Sequence, residues 1–314
     1  MAALIRGVLE GDARAVARAI SLVEDDRPEL EALAAGLVEH TGGSCTIGLT
    51  GAPGVGKSTI AAGLVGALRA RDLRVAVLAV DPTSPATGGA LLGDRVRMQA
   101  HATDPGVFIR SMATRGHLGG MALATPEAVR VLEAAGYAQI IVETVGVGQA
   151  EVDVAAATDT AVVVLAPGLG DAVQIAKAGI LEIADVFVVN KADREGADVL
   201  VRELRQMLEL GTPREWSPPV LAVTATTGAG LDALLDAVEA HVAWARGSGA
   251  LEAKRRARLL QEVAALAAAR LRVELERALH ADDALVADLL ARRLDPRGAA
   301  ARLLHRLDGA HRRG

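Results

Sequence analysis

The 314-residue sequence predicts an α/β fold: a mostly parallel twisted sheet with helices on both faces, plus helical extensions at the N- and C-terminal ends. Three observations predict it. Short β-rich runs alternate with helical stretches between residues 44 and 246. The strongest of those runs are apolar throughout, the pattern of strands covered on both faces. Outside them, residues 1–43 and 247–314 carry helical periodicity without strand signals. The expected organisation is therefore an N-terminal helical extension (1–43), a central α/β domain (44–246) and a C-terminal helical arm (247–314).

Leu4, Val8, Val16, Ile20 and Val23 recur at helical intervals, as do Leu30, Leu33, Leu37 and Val38, with a turn at Asp25–Pro28 between them. "TGGS" (41–44) breaks the pattern, and the runs then follow: "CTIGLT" (45–50), "RVAVLAV" (74–80), "VFIR" (107–110), "QIIVE" (139–143), "TAVVVLA" (160–166), "VFVVN" (186–190) and "PVLAVT" (219–224). "GSG" (247–249) marks a hinge into a helical region with an apolar stripe at Leu259, Leu260, Val263, Leu266, Ala267 and Leu271, and Pro296 interrupts a later helical segment.

Composition narrows the function classes. Hydrophobic residues make up 51% and aromatics only 2%, so the core is aliphatic. A net charge of −5 argues against a basic nucleic-acid footprint, and the basic run "KRRARLL" (254–260) reads as a solvated helix face. The lone Cys45 allows neither an internal disulfide nor a cysteine metal cluster. The start lacks a signal-peptide core, and no apolar run reaches the roughly 18 residues of a membrane span, so a cytoplasmic protein is expected.

The chemistry begins at "GLTGAPGVGKST" (48–59), which satisfies G-x-x-x-x-G-K-[ST] between a strand and a helix and makes the expected fold a P-loop NTPase. Gly51, Ala52, Pro53, Gly54, Val55, Gly56, Lys57, Ser58 and Thr59 form the cradle. Its glycines let backbone N–H groups turn inward onto phosphate oxygens, and the helix start adds its dipole. Lys57 supplies a mobile cation, and the Ser58 hydroxyl is suited to Mg²⁺. "NKAD" (190–193) closes a later strand. An ionised Asp193 accepts both the N1–H and the exocyclic amino group of guanine; adenine offers a lone pair at N1 instead, a buried mismatch that discriminates strongly. Asn190 can bond the base and brace neighbouring loops, the Lys191 stem can cover a ring face, and backbone at Thr224, Ala225 and Thr226 can offer an N–H to guanine O6. Carboxylates at strand ends face the nucleotide crevice in open α/β sheets, which brings in Asp81, Asp94 and Glu143 as direct or water-mediated metal ligands and Gly146 as a γ-phosphate sensor. Arg110, Arg115 and His117 form a polar cluster expected at a switch or partner contact.

Taken together, "GAPGVGKST", "AVDPTSP…GGALLGDRVRM", "IRSMATRGHLGG", "IIVETVGVGQAEVDV" and "APGLGD…IAKAGILEIADVFVVNKAD" closely resemble the MeaB/ArgK family of P-loop GTPases, chaperones of adenosylcobalamin-dependent acyl-CoA mutases. The resemblance runs from about residue 5 to 245 and more loosely beyond. It implies that Lys57 and Ser58 hold phosphate and Mg²⁺, that Asp81, Asp94 and Glu143 line the metal site, and that Asn190, Lys191 and Asp193 read guanine. It also implies a mobile loop at Pro167–Lys177 that communicates with the mutase through Asp171 and Lys177, Lys177 joining Lys57 and Glu143 among the catalytic candidates. Homodimerisation through the C-terminal helices is implied as well. Glu143-Thr144-Val145-Gly146 stands where many GTPases have Asp-x-x-Gly, and "TATTG" where Ser-Ala-Leu is commoner. No glutamine is an obvious water-positioning residue apart from Gln149, so slow intrinsic hydrolysis is expected. Two alternatives stand beside this reading: a metallochaperone-type GTPase, disfavoured by the scarcity of Cys and His, and an ATP-dependent kinase linked to amino-acid transport, disfavoured by "NKAD".

Overall fold

In the computed structural model, residues 1–25, 27–81, 101, 103–113, 121–144, 150–168 and 180–311 are described. The chain divides into two compact units, Met1–Leu259 and Leu260–Gly314.

The first unit opens with three helices, α1 (Ala2–Leu9), α2 (Ala13–Glu24) and α3 (Leu30–Leu37). Asp12 caps α2, its carboxylate accepting the Ala15 N–H at 2.7 Å. The sheet then builds from β1 (Cys45–Thr50), β2 (Val75–Asp81), β3 (Val107–Ala113), β4 (Gln139–Thr144), β5 (Thr160–Leu165), β6 (Val186–Asn190) and β7 (Val220–Val223). Their order is β3-β2-β4-β1-β5-β6-β7, and every neighbouring pair is parallel. Between the strands lie α4 (Lys57–Ala70), α5 (Met121–Ala134), α6 (Ala150–Ala157), the single turn α7 (Ile180–Ile183), α8 (Ala197–Leu210) and then α9 (Leu231–Ser248).

Side-chain alternation explains the uniformly apolar strands. Val162 and Val164 of β5, with Ile47 and Leu49 of β1, pack under α4 and α9. Val163 and Leu165 point to the other face and pack with Phe187, Val189, Leu200 and Leu204 against α8. Further along that face, Ala76, Leu78, Val80, Ile140 and Val142 are covered by α1–α3 and α5. Both faces are buried, so both strand positions must be apolar. The N-terminal helices are thus one wall of this core: Val8, Val16, Ile20 and Leu33 are fully or almost fully buried.

Two charged segments differ from the expectation. Arg110, expected at a switch or partner contact, makes its contacts inside the chain: from β3 it donates to the Ala17 carbonyl (3.1 Å) and Ser21 Oγ (2.8 Å) and pairs with Glu24, pinning α2 to the sheet. The basic run at 254–260 is not solvated throughout either: Arg256 is exposed, but Lys254, Arg255 and Arg258 are partly buried. Lys254, Arg255 and Arg258 dock on Asp185 and Asp159, because these two carboxylates, set just before β6 and β5, need cationic partners.

α10 (Ala250–His280) begins in the first unit, after α9 has ended at Gly249 in a left-handed cap (φ 79°) where "GSG" predicts a hinge. The second unit contains the remainder of α10, α11 (Asp283–Leu290) and α12 (Pro296–His311). Its small core is Leu285, Ala299 and Leu303, with Leu275, Leu279 and Leu294 packed against them. Pro296 opens α12 rather than interrupting a helix: at the first helical position its missing N–H costs nothing, and Asp295 caps the N–H groups of Arg297 and Gly298 at 2.9 and 3.1 Å. Among the described residues no helix is long and apolar enough to cross a membrane.

Candidate nucleotide site

β1 lies centrally between β4 and β5, and the chain leaves its C-terminal end through the loop 51–56 into α4. Ligands of open α/β sheets bind at this end of the strands, where the strand order reverses. Two glycines make the loop's path possible. Gly51 has φ 137°, and a Cβ there would lie 2.1 Å from the Val164 carbonyl oxygen of β5. Gly56, the N-cap of α4, has φ 101°, and a Cβ there would lie 2.3 Å from Asn190 Nδ2. Both positions combine a left-handed backbone with a neighbour that leaves no room for a methyl group.

The loop's side chains are held from within. Lys57 Nζ donates to the carbonyl oxygens of Gly51 (2.6 Å) and Ala52 (3.2 Å), so its ammonium lies against the inside of the turn. Ser58 Oγ donates to Glu143 Oε1 at 2.6 Å, and both residues are buried. Glu143 stands in β4 opposite Leu49 of β1 and Ala79 of β2. Strand pairing therefore delivers this carboxylate to the first turn of α4. Thr59 follows in that same turn. Asp81 closes β2 opposite Ala113 of β3, two strands away from β1. Among the described residues no group of three or more His, Cys, Asp or Glu is arranged to hold a metal. The oxygen pair Ser58–Glu143 is the donor set present, and it suits a hard divalent cation.

"NKAD" joins this loop through Asn190, which is 3% exposed at the end of β6. Its Nδ2 donates to the Val55 carbonyl at 2.8 Å, and its Oδ1 accepts the Ala225 N–H at 3.1 Å. One amide thus ties the 51–56 loop to the turn after β7. Lys191 adopts φ 58°, and its Nζ donates to the Gly54 carbonyl at 2.7 Å, so its stem spans the same gap. Asp193 is exposed two residues on, in the turn closed by Arg194 N–H to Lys191 O at 2.9 Å. In the facing turn, the Thr224 N–H is taken by Ala229 O at 2.9 Å and the Ala225 N–H by Asn190. The Thr226 N–H makes no hydrogen bond among the described residues. Thr227 and Gly230, not singled out in the sequence, shape this turn: Thr227 N–H donates to Thr224 O at 3.0 Å, and a Cβ at Gly230 would lie 2.5 Å from Ala222 O. The "TTGAG" composition is the signal that marks it.

The structure thus brings together Gly51–Ser58, Glu143, Asn190, Lys191 and the turn at Thr224–Thr226. Asp94, Gly146 and Lys177 lie outside the described residues, as do Arg115, His117, Gln149 and Asp171.

Comparison with known proteins fits this arrangement. The family described as methylmalonyl-CoA mutase-associated GTPase MeaB matches residues 16–280. A Pyrococcus horikoshii protein, named provisionally as a GTPase, is 47% identical over 310 residues, covering 98% of each chain. GTPase ArgK of Escherichia coli is 39% identical over 248 residues, 76% of this chain and 75% of that one. The mitochondrial methylmalonic aciduria type A homolog of Mus musculus is 36% identical over 271 residues, 80% of this chain and 65% of that one. Among solved structures, a protein described as LAO/AO transport system kinase superposes with a TM-score of 0.72 at 27% identity, covering 98% of this chain and 97% of that one. With a P-loop sheet carrying "GKS" and "NKAD" at one crevice, and a family match over most of its length, the chain belongs to the MeaB family of methylmalonyl-CoA mutase-associated GTPases.

Proposed function

We propose that this chain binds GTP and Mg²⁺ in the crevice between the 51–58 loop and the turns at 190–193 and 224–226, and hydrolyses GTP to GDP and phosphate. We propose further that it acts as a chaperone of an adenosylcobalamin-dependent acyl-CoA mutase of the methylmalonyl-CoA mutase type, gating cofactor loading and protecting or reactivating the enzyme. The observation that carries the nucleotide reading is the Asn190 bridge: a single buried amide holds the phosphate-type loop and the base-type loop in one frame, at 2.8 and 3.1 Å. Family membership supports the mutase partner.

Each residue then has a role. The loop N–H groups and Lys57 hold the phosphates, and Lys57 offsets charge that builds on the β–γ bridge. Ser58 and Glu143 would hold Mg²⁺, with Asp81 and Asp94 as further carboxylates of that site. When bound, the ion neutralises phosphate charge as the bond breaks. Asp193 accepts the two guanine donors, Lys191 covers the ring, and Thr226, whose N–H makes no hydrogen bond among the described residues, offers it to O6. Gly146 senses the γ-phosphate, and the 167–177 loop, with Lys177, carries nucleotide state to the mutase. The exposed Leu259, Leu260, Val263 and Leu271 supply a homodimer contact in this reading.

Two measurements test it. Titration with GTP and ATP is expected to show GTP bound at least about a hundredfold more tightly, as a hydrogen-bond mismatch at the base edge requires. Equal affinity would remove the guanine assignment. A pull-down from the source organism with the chain held in a non-hydrolysable GTP analogue is expected to recover a cobalamin-dependent mutase. Recovery of transport components instead would favour the kinase alternative.

A further inference from the structure

We infer that Lys254, Arg255 and Arg258 form a clamp that makes the start of α10 a positioning part of the nucleotide site, by fixing the bases of the strands whose far ends carry that site. The coupling half of this inference rests on the guanine-nucleotide reading above; the clamp itself does not.

The clamp has two jaws, both within the Met1–Leu259 unit. Asp159 precedes β5, and its side chain is 1% exposed. Arg255 binds it in a fork, Nε to Oδ1 at 3.0 Å and Nη2 to Oδ2 at 2.6 Å. Arg258 adds a 3.5 Å contact to Oδ1. The same carboxylate accepts the Thr46 N–H of β1 at 3.2 Å, while the Asp159 N–H donates to Thr46 Oγ1 at 2.7 Å. One acid therefore holds β1, β5 and α10 together. Arg255 also donates to the carbonyls of Gly42 and Ser44, each at 2.8 Å, at the entrance to β1.

Asp185 precedes β6 and is the second jaw. It accepts the Ala161 N–H of β5 at 2.8 Å and Lys254 Nζ at 3.2 Å. Its other oxygen lies 3.3 Å from His241 Nε2 of α9, whose Nδ1 lies 2.8 Å from Thr160 Oγ1. A cavity of about 390 Å³ opens beside these residues. Asp159, Asp185, His241 and Lys254 bond one another or the backbone around it, which is the signature of a joint rather than of a ligand site.

The joint sits at the opposite end of the sheet from the crevice. β1 leads from Thr46 to the 51–56 loop, and β6 leads from Asp185 to Asn190. At the crevice end, β1 and β5 meet with no slack, since a Cβ on Gly51 would lie 2.1 Å from the Val164 carbonyl oxygen. Strands stitched at both ends behave as a stiff pair. Close-packed interiors do not absorb a displacement at one end, so it reaches the other.

The test uses the full chain and two variants, Arg255→Gln/Arg258→Gln and Asp159→Asn/Arg255→Gln/Arg258→Gln. The second leaves no uncompensated buried charge. Hydrogen exchange at 250–259 and the dissociation rate of a fluorescent GDP analogue are measured beside wild type. Exchange at 250–259 is expected to quicken by at least about tenfold in both variants, as local opening becomes easier. Dissociation is expected to change by about threefold or more in the triple variant while its circular dichroism stays that of wild type. Arg258→Gln alone, which keeps the Arg255 fork, should show the same pattern at smaller amplitude and supplies a folded variant if the others do not fold. Wild-type exchange at 250–259 in the triple variant overturns the clamp. Lost protection with an unchanged dissociation rate overturns the coupling. A wild-type chain that binds no GDP analogue refutes the guanine-nucleotide reading and the coupling together, while the exchange arm still decides the clamp.

Discussion

Replacing Gly56 by alanine perturbs the point where the phosphate-type loop meets Asn190. Two costs add. At φ 101° an alanine carries left-handed strain of about 1–2 kcal/mol. Its Cβ would also lie 2.3 Å from Asn190 Nδ2, so the amide must move by about 1 Å to reach an ordinary contact distance. That movement breaks the bonds to the Val55 carbonyl (2.8 Å) and from the Ala225 N–H (3.1 Å). Each is worth about 1 kcal/mol, and more where the buried partner is left unsatisfied. The sum is about 4 kcal/mol. Gly249→Ala is the control: its φ is 79°, but nothing lies within 4 Å of the added carbon, so it carries the strain alone. In nucleotide-free thermal melts Gly56→Ala should therefore unfold about 5–10 °C below Gly249→Ala, at the 2–4 °C per kcal/mol expected for a unit of this size. A Gly56→Ala melt within about 2 °C of the control would refute the claim that Asn190 is held against this glycine.

Other perturbations follow from the same geometry. Asp193→Asn replaces a double acceptor by one donor and one acceptor, so GTP affinity should fall by about a hundredfold or more and the preference over ATP collapse, as read by calorimetric titration. Glu143→Asp withdraws the carboxylate by one methylene, about 1.3 Å, which stretches the 2.6 Å bond from Ser58 beyond hydrogen-bond reach; steady-state GTP hydrolysis should drop by at least about tenfold. Burial, with the nearby Asp159 charge, pushes the Cys45 thiol up to about 11, so its alkylation at pH 8 should be at least about a hundredfold slower in the native protein than in the denatured one. Burial raises the carboxyls of Asp159 and Asp185, but hydrogen bonds and charge from Arg255 and Arg258, and from His241 and Lys254, outweigh it and hold both below the usual carboxylate range. Acids depressed in the folded state add stability that is present above their unfolded values near 4 and is lost as pH falls through the folded ones. Melting temperature should thus fall steeply below about pH 4, and Asp159→Asn combined with Arg255→Gln and Arg258→Gln should flatten that acid limb.

Much of the fold was legible because burial on two faces leaves a strong trace. "VFVVN" and "CTIGLT" coincide with β6 and β1, since every residue there is enclosed and the polar ones, Thr46, Thr50 and Asn190, stand near the strand ends. β3 was harder: "VFIR" stops at Arg110, yet the strand runs on to Ala113. A charged residue reads as a strand end until its partners are known, and the Arg110 Nη atoms are held inside by Ala17, Ser21 and Glu24, about ninety residues away in sequence. The loop 51–56 was legible for a different reason. Its glycines answer to the Val164 backbone carbonyl and to the Asn190 side-chain amide, neither of which leaves room for a Cβ. The Asn190 bridge itself needs the turn after β7 to lie beside β6, a fact of strand order that no local pattern states.

The basic run 254–258 shows most plainly why some chemistry stays hidden. Taken alone, Lys254, Arg255 and Arg258 on a helix are indistinguishable from a solvated face. Their partners carry a fainter mark: Asp159 and Asp185 each stand immediately before a wholly buried strand, in "TDTAVVV" and "ADVFVV". An acid so close to a double-faced core cannot retreat far into water, so it demands a cation or several N–H groups. Backbone N–H groups from Thr46 and Ala161 meet part of that demand, and the helix that follows α9 brings Lys254, Arg255 and Arg258 to the rest. The pairing was therefore encoded as a deficit at the sheet's base and a surplus on α10. What the sequence left open was the path of α9, which carries the chain from the turn after β7 back to the bases of β5 and β6 and so sets the two side by side.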